Sequence, residues 1–578
     1  MSSGGDRPIA VGGQGDYIRL SDGRQILDAC GGAAVTCLGH GNQEVLDAMA
    51  TQASQLSYAA HGFFDNNSRL DLAEWFKSTS QGHFRKAWMI NSGSEAMEGA
   101  MKLAHEYFVW KGEPCRVNYI SREVSYHGIT LGSLALGGHL TRRAPFEPLL
   151  LASVHRISPC NEYRQRLQDE SDDDFVSRKA SELEEAFLSL GPETVTAFIA
   201  EPVVGAASGC VPAVPGYFKA MKAVCDKYGA LLILDEVMSG MGRTGTLHAW
   251  EQEGIVPDIQ TVGKGLAAGY QPVSAILAGD KVSDLMDSQG VAFTHGHTYQ
   301  NHPLGCATAL KVQQVIQRDG LLANVRTQGA YLGKLLKGKL SSHSHVGNIR
   351  GRGLFWGIEL VKDKVSKEPF NPRLQIAQQV HSAALAAPYN VAIYYGQGCA
   401  GDKRGDHVMI MPAYNSAPET IVLMVDKLVS VVEKVCIFKR PPLAHPNHRC
   451  DCLICRPRPL WRRLLRLPGR LLVGLYGSNE PGAIHIHEAV CEEARVAVSN
   501  VLGERPGPGM RERLPRSRSF KEPSCTDSVS RGRSIQSIPG FVQQQLTSSN
   551  AAGRIKENGE VVDDDGNAKD FVGFFGAE

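Results

Sequence analysis

The stretch LLILDEVMSG, from Leu231 to Gly240, runs four apolar residues straight into two carboxylates, Asp235 and Glu236. A short apolar run of this kind, with the β-branched Ile233 inside it, reads as a strand buried on both faces. A carboxylate at the end of such a strand needs a partner, because burying it ionised and alone is costly. The candidate cation lies in TVGKGLAAGYQPVSA, where Lys264 is flanked by small residues that neither shield nor pair an ammonium. Desolvation moves such a lysine toward its neutral amine, the form that condenses with a carbonyl cofactor. A nearby acid suits a pyridine ring, since it keeps the ring nitrogen protonated and able to accept electrons from a carbanion. On these two residues alone, an ordinary Asp–Lys ion pair explains the pattern equally well.

A phosphate site would weigh against the ion pair. NSGSEAMEGAMKLA sets Ser92, Gly93 and Ser94 directly before a helical pattern. Backbone N–H groups and hydroxyls at a helix N-terminus attract anions, although Ser-Gly-Ser in this place is also an ordinary cap. In SYHGITLGS, Tyr126 offers a ring able to stack on a planar cofactor. Tyr-His-Gly is equally a turn with a packed aromatic.

These residues must be positioned by elements, and the pattern from Val45 to Val291 alternates between helical and strand-like segments. Met97, Met101, Ala104 and Phe108 mark one face of a helix over Glu95 to Phe108, and a helical run from Ala180 to Leu190 precedes an apolar strand from Val195 to Ala200. A helix from Gly216 to Tyr228, with Gly229 placed for its C-cap, feeds the strand at Leu231. Strands alternating with helices predict an α/β fold with a largely parallel sheet covered on both faces. Pro303 to Val315 and Pro418 to Val435 read as helices, and Gly353 to Leu360 as a short strand. Together with Tyr17 to Leu38 they predict a smaller α+β domain built from both ends of the core. The expected division is 1–44 and 303–437 for the small domain, 45–302 for the large one, and 438–578 for a low-complexity extension.

A chain of 578 residues exceeds what one core usually holds. Lys+Arg 61 nearly balances Asp+Glu 60, which favours neither nucleic-acid nor membrane binding. The start, MSSGGDRPIAVGGQGDY, lacks the apolar centre of a signal peptide, and the fourteen scattered cysteines read as reduced thiols, so a cytoplasmic enzyme is expected.

Taken in order, NSGSEA, SYHG, Glu201-Pro202 in FIAEPVVG, LDEVMSGMGRTG, VGKGLAAGYQP and HGHTYQNHPLGCA resemble the class III pyridoxal-phosphate-dependent aminotransferases, in their ω-aminotransferase-like branch. The resemblance runs from about Tyr17 to Val435. It implies the fold-type-I architecture of that family, with a large cofactor domain and a small domain. It also implies pyridoxal 5′-phosphate as cofactor and a ping-pong transfer of an amino group from an amine or amino acid to a keto acid or aldehyde. By the same resemblance, Lys264 would hold the cofactor as an internal aldimine and shuttle the proton, and Asp235 would pair with the ring nitrogen. Ser92, Gly93 and Ser94 would cradle the phosphate. Tyr126, with His127 beside it, and Val237 would cover the ring faces, and Glu201 would lie on the substrate side. Thr298 matches the threonine that reaches the neighbouring subunit's phosphate, which implies a homodimer. An aminomutase or decarboxylase on the same fold is the alternative reading, and a non-catalytic interaction protein with a degenerate core is a third.

Two positions depart from the pattern. Met238 stands where many members carry a glutamine that bonds the cofactor's phenolic oxygen, which a thioether cannot donate to. Met409, in HVMIMPAYN, stands where ornithine-type members carry an arginine. Arg404 is the nearest other guanidinium able to fork onto a substrate carboxylate, with a solvated loop arginine as the alternative. Arg352 reads as support for the small domain. Phe63, beside Phe64 in SYAAHGFFDNN, suggests an apolar substrate surface or interface packing. In the extension, His448, Cys450, Cys452 and Cys455 would ligate zinc only under strain within one loop, so no metal is expected. The basic segment 457–477 would suit an anionic membrane surface or a solvated chain.

Overall fold

The computed structural model describes residues 7–437, 554–555 and 561–562. The expectations for the extension, including the Cys-His cluster and the basic segment 457–477, lie outside the described residues. Two short strands, Arg554–Ile555 and Val561–Val562, pair antiparallel in a unit of their own.

The chain opens with β1 (Ala10–Gln14), β2 (Tyr17–Leu20) and β3 (Gln25–Asp28), an antiparallel meander. Helices α1 (Gln43–Gln55) and α2 (Asn67–Thr79) follow, each started by an asparagine, Asn42 or Asn66, whose side chain accepts a backbone N–H in the first turn. Then come β4 (Lys86–Ile90), α3 (Gly93–Trp110), β5 (Asn118–Arg122), β6 (Val154–Ile157), α4 (Asp172–Leu190), β7 (Val195–Ala200), α5 (Tyr217–Lys227), β8 (Leu231–Asp235), β9 (Ile259–Val262) and β10 (Ser274–Ala278).

These seven strands, β4 to β10, form one sheet in the order β4-β10-β9-β8-β7-β5-β6. Every pair is parallel except the two made by β10, which runs against both neighbours. β8 lies at the centre and is buried along its whole length. Its side chains alternate between the faces. Leu231 and Ile233 pack in one cluster with Met97, Ala100 and Ala104 of α3. Leu232 and Leu234 pack in the other with Phe187, Phe218 and Met221. Each fully buried Leu or Ile contributes about 1.5–3 kcal/mol, so the strand that carries Asp235 is anchored on both sides.

The second layer of the chain is α6 (Pro303–Arg318), α7 (Leu321–Leu340), β11 (Val346–Arg352), β12 (Phe355–Leu360), α8 (Ile376–Leu385), β13 (Tyr394–Gly401), β14 (Arg404–Ile410) and α9 (Pro418–Ile437). Its strands form an antiparallel sheet in the order β11-β12-β14-β13. Leu27, Leu38 and Val45 from the start of the chain share one core cluster with Leu332, Ile358, Val408 and Leu428. Residues from both ends of the described chain therefore fill one core.

Several element boundaries differ from expectation by two residues or more, and two of them have a local cause. α4 begins eight residues before Ala180, because Ser171 and Asp174 close a capping box and Asp172 to Asp174 favour the positive end of the helix dipole. A search for apolar periodicity passes over that polar first turn. β12 starts at Phe355 because Gly353 turns the chain with φ +57.

Candidate active site

The sheet delivers its chemistry at the ends of β8 and β9. These strands pair in register Asp235↔Thr261, so Lys264, three residues past Thr261, emerges beside the Asp235 tip. Lys264 opens a 3₁₀ turn with φ 45, a left-handed backbone that costs a non-glycine residue about 1–3 kcal/mol. A cavity of about 440 Å³ opens here. Its walls bring together Ser92, Gly93 and Ser94, then Tyr126, His127 and Glu201, then Asp235, Val237 and Lys264. Ten of the residues singled out from sequence, Met238 included, meet in this one space. Val35 from the opening segment and Gln271 to Val273 also line it; these four carry no chemical signature that sequence reasoning could use.

Asp235 is 5% exposed and its two oxygens are engaged differently. Oδ1 accepts the Val237 N–H at 3.0 Å, and Oδ2 meets His127 Nδ1 at 2.8 Å. The partner in the protein is thus a histidine rather than Lys264, which makes no ion pair among the described residues. His127 Nε2 is buried without a hydrogen-bond partner. Burial holds the Lys264 ammonium below its usual range, opposed by the charges of Asp235 and Glu201 and assisted by Arg142. Glu201, also buried, accepts the N–H groups of Tyr126 at 3.1 Å and Gly205 at 2.9 Å. Burial raises its carboxyl above the ordinary value.

At the other end of the cavity Ser92 caps α3, its hydroxyl accepting the Glu95 N–H at 3.3 Å. Ser94 Oγ accepts the Ile129 N–H at 3.0 Å and so ties α3 to the Tyr126 loop. Gly93 is required by contact: a Cβ there would lie 2.7 Å from Val237 Cγ1. The helix N-terminus, the Val237 side chain and the end of β8 are consequently packed to a fixed spacing.

Glu236, the second acid of the opening run, has no place in this cavity. It is fully buried and accepts the N–H groups of Ala249 at 2.6 Å and Trp250 at 2.8 Å. Burial pushes its carboxyl up to about 8 from 4.5. Between those values the folded chain holds a proton that the unfolded chain has released, so this group lowers stability as pH rises. Thermal melts from pH 5 to pH 8 are expected to lose midpoint more steeply for the parent than for Glu236→Gln; parallel slopes would show that the group does not titrate on unfolding.

Other expected residues lie elsewhere. Arg404 is exposed at the start of β14, 3.5 Å from Asp402 on the same hairpin, and it does not line the cavity. Phe63 and Phe64 are 83% and 65% exposed. Thr298 is exposed on the loop before α6. Arg352 pairs with Glu253 at 2.6 Å. Met238 and Met409 fall in one apolar cluster with Cys30, Phe355 and Met411. The two departures from the family pattern are therefore neighbours, on the wall to which Met238 belongs. Among the described residues no helix is long and apolar enough to cross a membrane, and no group of three or more His, Cys, Asp or Glu is placed to hold a metal.

The family model for the class III aminotransferases matches residues 5–431. The chain belongs to the class III aminotransferases. An aminotransferase of Gibberella zeae is 49% identical over 416 residues, 72% of this chain and 81% of its own length. The diaminobutyrate–2-oxoglutarate transaminase of Halomonas elongata is 35% identical, over 66% of this chain and 82% of its own. Among solved structures, the pyridoxamine-phosphate-bound aminotransferase of Vibrio fluvialis superposes with a TM-score of 0.69 at 29% identity, covering 75% of this chain and 93% of that one. This class III aminotransferase is a pyridoxal-phosphate-dependent transaminase of fold type I, moving an amino group from an amine or amino acid to a keto acid or aldehyde.

Proposed function

We propose that Lys264 is the covalent anchor of the cofactor and its proton carrier, and that Asp235 is the partner of the ring nitrogen. The carrying observation is that adjacent parallel strands bring both residues to the cavity that the N-terminus of α3 also enters. The residues fit the cofactor on this structure's own terms. An 18-residue helix offers its first N–H groups with Ser92 and Ser94 for a phosphate. Gly93 lets the N-terminus of α3 pack against Val237, where a Cβ would clash. A buried carboxylate backed by His127 is poised for a cationic ring nitrogen.

When bound, pyridoxal phosphate supplies an electron sink that stabilises a carbanion at the substrate carbon. The chain does the rest. Burial keeps the Lys264 Nζ amine available to take a proton from that carbon and to return it. Asp235 would face the ring nitrogen, with its position held by Val237 N–H and His127. Tyr126 and Val237 line the cavity and would cover the ring faces and exclude water, and Glu201 fixes the Tyr126 loop by accepting its backbone N–H. The apolar wall at Met238 suits an uncharged substituent, which supports an ω-amino or simple amine donor. Thr298 of a second copy would reach the phosphate, in a homodimer. Exposed aromatics on two mutually bonded loops support that assembly: Asn66 Nδ2 donates to Asn301 O at 3.1 Å, and the Tyr58 and Tyr299 rings lie 6.3 Å apart. The domain division at 45 and 303 and a cytoplasmic location, the latter supported by buried free thiols such as Cys30, Cys225 and Cys306, belong to the same reading.

The test is a half-reaction. Enzyme mixed with an uncharged amine and no acceptor should form about one carbonyl product per site and stop, with loss of its visible absorbance; added pyruvate should restore the absorbance. Continuous product formation without an acceptor would instead favour the mutase or decarboxylase reading.

A further inference from the structure

Lys264 and Ala268 frame a turn in which both residues hold a left-handed backbone, with φ 45 and φ 51. Two non-glycine residues so close together in that region persist only where the surroundings over-determine the chain. The hydrogen bonds of the turn show what does so. Gly263 O accepts the Leu266 N–H at 2.9 Å, Lys264 O accepts the Ala267 N–H at 3.3 Å, and Ala267 O accepts the Tyr270 N–H at 3.0 Å. The two carbonyls between these, of Gly265 and Leu266, are taken up by one side chain from far along the sequence. Gln313 Nε2 donates to Gly265 O at 3.0 Å and to Leu266 O at 2.8 Å. Cys37 Sγ adds a weak donation to Gly265 O at 3.4 Å.

Gln313 reaches the turn from α6 and is 1% exposed. Val312, Val315 and Ile316 of that helix pack in one core cluster, whereas Cys306 and Ala309 pack in another with Leu232 and Leu234 of β8. The helix is fixed by both, so it delivers the carboxamide from a rigid support. Gln313 Oε1 is buried without a hydrogen-bond partner. Burying an unanswered oxygen is unfavourable, and a leucine would fill the same place without it. What the glutamine supplies is therefore its pair of N–H donors. Tyr414 closes on the same turn: a Cβ at Gly265 would lie 3.2 Å from its hydroxyl, which donates to Met241 O at 2.9 Å.

We infer that Gln313 is a positioning residue for Lys264: by holding the carbonyls of Gly265 and Leu266, it fixes the backbone from which the lysine amine reaches the cavity. This inference rests on the reading of Lys264 as cofactor anchor and proton carrier. The Lys264 side chain makes no ion pair or hydrogen bond of its own among the described residues, so the placement of its Nζ depends on the backbone that carries it. Without the two donors the strained turn is free to relax, while the other walls of the cavity keep their contacts. A displacement of about 1 Å at the reacting group is enough to slow chemistry on the order of 100-fold. Substrate binding, which uses those other walls, is not affected in the same way.

The experiment compares full-length parent holoenzyme with Gln313→Met and Gln313→Asn, and with Val312→Ala as a packing control on the same helix. Methionine matches glutamine in length but donates nothing. Gln313→Met is expected to lower kcat about 10- to 100-fold while the amine KM stays near the parent's. With an amine deuterated at the reacting carbon, its isotope effect should rise, because the proton transfer assigned to Lys264 becomes the slower step. The same variant, stripped of cofactor and given pyridoxal phosphate, should regain visible absorbance about 10-fold more slowly than the parent. Gln313→Asn, whose donors fall one methylene short, should lie between the two. Val312→Ala should melt earlier yet keep the parent's kcat, isotope effect and rate of cofactor capture. A parent-like kcat and isotope effect in Gln313→Met would overturn the inference, as would equal losses in Val312→Ala. Should Gln313→Met not fold, the same measurements on Gln313→Asn decide, and parent values there would overturn it. Failure of the underlying reading looks different: Lys264→Ala would then turn over near the parent's rate, whatever the residue at 313.

Discussion

Lys264→Ala is expected to lose turnover on the order of 10,000-fold or more, since the group that we propose tethers the cofactor and moves the proton is gone. The purified variant should also lack the visible absorbance of a lysine-bound cofactor. Lys264→Arg should fare no better, because a guanidinium keeps its proton and does not condense with a carbonyl. Both variants should still melt cooperatively, as Lys264 makes no ion pair or hydrogen bond through its side chain among the described residues. The check is a coupled transaminase assay alongside absorbance and thermal melts on the same preparations. Turnover near that of the parent in either variant would remove Lys264 from its assigned role.

Asp235→Asn should be the second most damaging change. The carboxamide is nearly isosteric and its oxygen can still accept the Val237 N–H, but the charge facing the ring nitrogen is lost. Its amide group would now also have to pair with His127 Nδ1, which today meets a carboxylate at 2.8 Å. Removing one partner of a buried charge pair costs about 3–5 kcal/mol, which corresponds to a loss in kcat on the order of 200- to 5,000-fold. Weaker cofactor retention on gel filtration should accompany it. Activity close to the parent's would show that the ring nitrogen needs no anion here.

Much of the fold and site is legible wherever the signal is local. The apolar run into Asp235 announces a central strand because both of its faces are packed, and β8 is buried on both. Ser92, Gly93 and Ser94 are legible for a similar reason, since capping and anion binding use consecutive residues. What is not legible depends on tertiary placement. Arg404 is a loop-like arginine in polar surroundings, and nothing in its neighbours' order says whether it faces the cavity. That is decided by the β13–β14 hairpin, which leaves Arg404 outside. The contact between His127 and Asp235 is hidden for the same reason, since His127 comes from the loop after β5 and Asp235 from the end of β8, two strands that β7 separates in the sheet. Likewise Met238 and Met409 look like unrelated departures until the fold makes them neighbours.

The packing of Gly93 against Val237 makes two distant positions of the chain heritable as a pair. A larger residue at 93 would need a smaller one at 237, because the Cβ that it introduces would fall 2.7 Å from an existing methyl. Either change alone would move the helix N-terminus relative to the end of β8, and with it the spacing between the phosphate and ring-nitrogen sites. Drift at one position is therefore conditional on the other, and covariation between 93 and 237 among relatives would be the historical trace of a distance that this enzyme must keep.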